Sequence, residues 1–82
     1  MLIVEYQIEI ENMKYRIILE QDEDGIYTAL CPSLPGCISQ GETRNEALKN
    51  IKDAMEGYIL SLKKHNEAIP TPINEEYLEL AL

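Results

Sequence analysis

The chain has 82 residues, which allows one domain spanning 1–82 and no more, and with 45% hydrophobic and 27% charged residues it is not a disordered segment. A net charge of −8 repels phosphate backbones, so binding of nucleic acid through a basic face is excluded, whereas basic proteins are attracted. No apolar run approaches the roughly 18–20 residues that a membrane span needs, and Met1-Leu2-Ile3-Val4-Glu5 lacks the basic start of a secretion signal, so a cytoplasmic setting is expected.

Residues 2–10 alternate, with Leu2, Val4, Tyr6, Ile8 and Ile10 on one side and Glu5, Gln7 and Glu9 on the other, which predicts a half-buried strand. Glu11-Asn12 is a turn, and 14–20 alternates again with Tyr15, Ile17 and Leu19 inward. Ile18 breaks that alternation, so part of the second face is expected to be covered. Asp22-Glu23-Asp24-Gly25 predicts a hairpin, because Gly accepts positive φ and Asp tolerates it. The return strand is 26–31, stopped by Pro32-Ser33-Leu34-Pro35-Gly36, where two prolines remove ladder donors and fix φ. Residues 37–41 make one more short strand.

Thr43-Arg44-Asn45-Glu46 has the spacing of a capping box, and the helix after it carries Ala47, Leu48, Ile51, Ala54, Met55, Tyr58, Ile59 and Leu62 in one stripe. Gly57 interrupts this helix and is expected to allow close approach to the sheet. Pro70-Thr71-Pro72 is an extended connector, and 76–82 is expected to be a last strand. The pattern ββββαβ predicts an α+β fold, a mostly antiparallel sheet with one helix across a face.

Little here carries chemistry. Cys31 and Cys37 with the distant His65 make a poor tetrahedral set, and free thiols are expected. Asp22, Glu23 and Asp24 lack a calcium-loop pattern and read as a solvated turn. Gly25, Gly36 and Gly41 do not make a phosphate-binding spacing, and Ser33 and Ser39 lack a nucleophile's context. No nucleophile, base and orienting group come together, so no enzyme activity, metal or cofactor is expected.

One stretch is more specific. It runs Glu20-Gln21-Asp22-Glu23-Asp24-Gly25-Ile26-Tyr27, then Cys31-Pro32-Ser33-Leu34-Pro35-Gly36-Cys37-Ile38-Ser39-Gln40-Gly41-Glu42-Thr43, then the helix opening at Glu46-Ala47-Leu48, and Ile69-Pro70-Thr71-Pro72. Over residues 15–72 this resembles the HicB-type antitoxins, with their D-G-Y hairpin, P-x-L-P-G-C-x-[ST]-Q-G-x-T string, capped E-A-L helix and I-P-x-P exit. The resemblance implies a partial ribonuclease-H-like fold without catalytic carboxylates. It also implies a non-catalytic antitoxin that binds and neutralises a small basic HicA-type toxin, which cleaves messenger RNA.

In that setting Asp22, Glu23, Asp24 and Leu34 are the expected partner contacts, and Pro32, Pro35, Gly36, Gly41, Thr43 and Glu46 the structural motif. Many members add a C-terminal DNA-binding module; 82 residues leave no room for one, so no direct nucleic-acid binding is expected. Segment 2–10 precedes the family's usual first strand and offers an edge, from which a homodimer or higher oligomer is expected. The alternative reading is an orphan HicB-like interaction module or scaffold without a toxin.

Overall fold

The computed structural model of the chain describes residues 2–72. It holds four strands and one helix: β1 Leu2–Ile10, β2 Met13–Gln21, β3 Tyr27–Leu30, β4 Ile38–Gly41 and α1 Arg44–Lys64. The strands form one sheet in the order β1-β2-β3-β4, every neighbouring pair antiparallel, so the α+β expectation holds. The expected strand at 76–82 lies outside the described residues.

Sequential hairpins set this order. Glu11 (φ 56°) and Asn12 (φ 62°) both lie in the left-handed region and link Ile10 to its partner Met13. Two successive positive φ values make a type I′ turn, whose twist matches that of the flanking strands. Since the period is two, this register fixes every side chain of β1 and β2. It places Tyr15, Ile17 and Leu19 inward, where they are fully buried, while Lys14 faces out.

The helix supplies the other half of the core. Ala47, Ile51, Met55 and Ile59 recur every four residues and are buried against Tyr15, Ile17, Leu19 and Ala29. Thr43 caps the helix, its Oγ1 accepting from the Glu46 N–H at 3.1 Å. Among the described residues the Glu46 carboxylate makes no return bond, so half of the capping box forms. At the far end Asn66 (φ 55°) donates to the Lys63 carbonyl and Glu67 donates to that of Leu62, the paired bonds of a Schellman stop.

The helix lies mainly over β3 and β4. Gly41 makes this possible: a Cβ there would stand 2.5 Å from the Ala47 N. Gly57, expected to be the close-approach glycine, faces solvent with nothing within 4 Å of a built Cβ. The expectation is therefore corrected: Gly57 sits on the helix face opposite the buried stripe. The Asn50 side chain adds a stitch, donating to the Gln40 carbonyl at 2.8 Å.

Candidate partner-binding site

The register Gln21↔Tyr27↔Gly41 brings the β2–β3 turn and the exit of β4 to the same end of the sheet. Asp22, Glu23 and Asp24 are therefore at the end where Glu42 and the first helical turn, with Glu46, also lie; all five are exposed. Arg44 is the cation among them. Acids here also face the positive end of the helix dipole, which favours them.

These carboxylates are not equivalent. Asp22 builds the turn: its Oδ1 accepts from the N–H groups of Asp24 and Ile26, each at 2.9 Å, and its backbone N–H donates to the Ile26 carbonyl at 3.0 Å. Gly25, at φ 85°, completes the reversal, and the Gln21 side-chain amide donates to its carbonyl. Glu23 and Asp24 make no side-chain hydrogen bond or ion pair among the described residues and face water. The first acid shapes the tip, and the next two present charge.

Leu34, expected as a partner contact, is fully buried and is corrected to a core residue. Its loop folds through two successive turns, with Leu34 N–H donating to the Cys31 carbonyl and Cys37 N–H to the Leu34 carbonyl. Cys31, Leu34 and Cys37 thereby point into the core together, closing the open end of the β3–β4 connection. Pro35 and Gly36 (φ 82°) form the exposed outside of that turn, and Pro32 is half-buried.

Both cysteines are free and buried, and burial raises their thiol pKa values. The single His, His65, caps the helix C-terminus, its Nδ1 2.8 Å from the Ser61 carbonyl. Among the described residues no three of His, Cys, Asp and Glu are grouped to hold a metal ion. No described helix is long and apolar enough to cross a membrane.

The charge is distributed unevenly along the strands. Glu23, Asp24, Glu42 and Glu46 occupy one end, while Lys63 and Lys64 close the helix at the other, where Lys63 pairs with Glu11. A second surface feature includes Ile18. It pairs with Leu30, which pairs with Ile38, making an apolar row across β2, β3 and β4 on the face away from the helix. Ile38 is 60% exposed, whereas Ile18 and Leu30 are half-buried.

The chain shares 58% identity over 64 residues with a UPF0150 protein of Thermoplasma acidophilum, covering 78% of this chain and 93% of the relative. A UPF0150 protein of Synechocystis is 48% identical over 56 residues, 68% of this chain and 71% of its own. Antitoxin HicB 1 of Photorhabdus laumondii is 36% identical over 75 residues, covering 89% of this chain and 48% of that longer protein. No solved structure gives a significant match. The match to the HicB_like antitoxin of bacterial toxin–antitoxin systems extends over residues 15–80, from the buried Tyr15 across the hairpin, the Leu34 loop and the helix, and the chain belongs to that family.

Proposed function

We propose that this chain is a non-catalytic antitoxin that binds and neutralises a small basic toxin of the HicA type in the cytoplasm, residues 1–82 acting as one unit. The observation that carries this reading is the acidic end, where Glu23, Asp24, Glu42 and Glu46 stand exposed on a chain of net charge −8 that belongs to an antitoxin family. Opposite charge steers encounter and raises the association rate, and screening by salt reduces it. Among the described residues the thiols are buried and the single His stands at the helix C-cap, which supports reading the chain as a binder.

The test is binding of the purified chain to any short basic protein encoded beside it, measured by surface plasmon resonance at several salt concentrations. Tight binding with an association rate that falls as salt rises is the expected result. The double variant Glu23→Lys/Asp24→Lys, which leaves the turn-building Asp22 in place, should lower the association rate by roughly tenfold. An unchanged rate overturns the role of the tip. Absence of binding to any basic neighbour favours the orphan interaction module instead.

A further inference from the structure

β1 is the end strand of the sheet, nine residues long, and among the described residues nothing pairs with its outer edge. Its type I′ turn makes Ile10–Met13 a hydrogen-bonded pair, and alternation along an antiparallel ladder then commits the even-numbered residues of β1 to β2. The N–H and C=O groups of Ile3, Glu5, Gln7 and Glu9 point to the open edge. Such an edge is a template for another strand. The inward side chains of β1 are also incompletely covered: Val4, Tyr6, Ile8 and Ile10 are all only half-buried, because the helix lies over β3 and β4.

We propose that β1 pairs antiparallel with β1 of a second copy about a two-fold axis at Tyr6, making one continuous eight-stranded sheet. This rests on geometry independent of the toxin reading. A two-fold perpendicular to the sheet keeps inward residues inward, so even-numbered residues pair with even. An axis at Glu5 sets Glu5 against its own copy, and an axis at Gln7 sets Glu5 against Glu9. Like charges directly opposite are destabilising. An axis at Tyr6 avoids both and uses the whole strand: Glu5 meets Gln7, Ile3 meets Glu9, Val4 meets Ile8 and Leu2 meets Ile10. Tyr6 meets Tyr6 as a non-hydrogen-bonded pair, the closer kind, so the two half-covered apolar rows become continuous.

Sedimentation equilibrium of the full chain without any toxin, over a hundredfold concentration range, tests the pairing. A reversible dimer is expected, tighter at high salt because two chains of net charge −8 repel. Gln7→Glu introduces two symmetric Glu–Glu contacts and should weaken the dimer by about tenfold. Within one copy residue 7 faces Arg16, so the monomer's fold, checked by circular dichroism and its melting temperature, should be kept. Gln7→Lys should shift the dimer in the opposite direction. A monomer at every concentration overturns the proposal and leaves the edge to another occupant, such as the chain's own residues 73–82. A dimer indifferent to both charges at position 7 overturns the register.

Discussion

Tyr15 is the largest of the fully buried core side chains, and its hydroxyl donates to the Pro70 carbonyl at 2.6 Å. That bond ties the connector after the helix back to β2, fifty-five positions away in sequence. Tyr15→Phe removes the bond and keeps the ring, so it should cost about 1 kcal/mol and lower the melting temperature by a few degrees. Scanning calorimetry checks it. Burial first, then the nearby Cys31 and Glu11, push the Tyr15 pKa above 10.0, and burial pushes the Cys31 and Cys37 thiols above 9.0. All three groups are thus held neutral in the fold and ionise more easily once unfolded. Their contribution to stability is complete below the unfolded values and is lost as pH rises through the folded ones. Urea midpoints should therefore hold up to about pH 8 and fall above about pH 9. Iodoacetamide should label neither thiol in the native protein at neutral pH and both in urea.

The two glycines that flank and interrupt the helix separate what the sequence reveals from what only packing decides. Gly41→Ala places a methyl 2.5 Å from the Ala47 N, backbone that cannot swing aside, and should cost about 1–3 kcal/mol. Gly57→Ala meets open space in mid-helix and should stabilise by up to about 1 kcal/mol. Chemical denaturation of the two variants should show opposite signs. The strands, the Asp22–Gly25 turn, the Thr43 cap and the helix stripe are legible in the chain because each depends on local period or local hydrogen bonding. The contact between β4 and the helix is not local, so helical period points to Gly57 although the close approach is at Gly41. Leu34 failed in the same way: between two prolines it resembles an exposed turn residue. Cys31, Leu34 and Cys37 recur every three positions, however, and that spacing is the trace a loop leaves when it tucks one side inward. Asp22 was legible as part of a turn, but not as the acid whose carboxylate is already committed to two backbone donors.

At the scale of the whole molecule, the surface separates by function. The core and the Leu34 loop hold the shape, the acidic end carries the charge, and the outer edge of β1 lies along a different side of the sheet from that end. Charge reversal at the tip should therefore act mainly on encounter rates, and charge changes at position 7 mainly on self-association; running both variants through both assays at high salt, where the net-charge repulsion is screened, checks the separation. The antiparallel sense of the proposed β1 pairing has a geometric outcome. A two-fold at Tyr6 turns one copy end for end, so the two Asp22–Asp24 hairpins of a pair project in opposite directions. Two captured proteins would then hang at the outer extremities of one assembly without touching, giving a complex of two and two whose elongated shape a scattering profile would register.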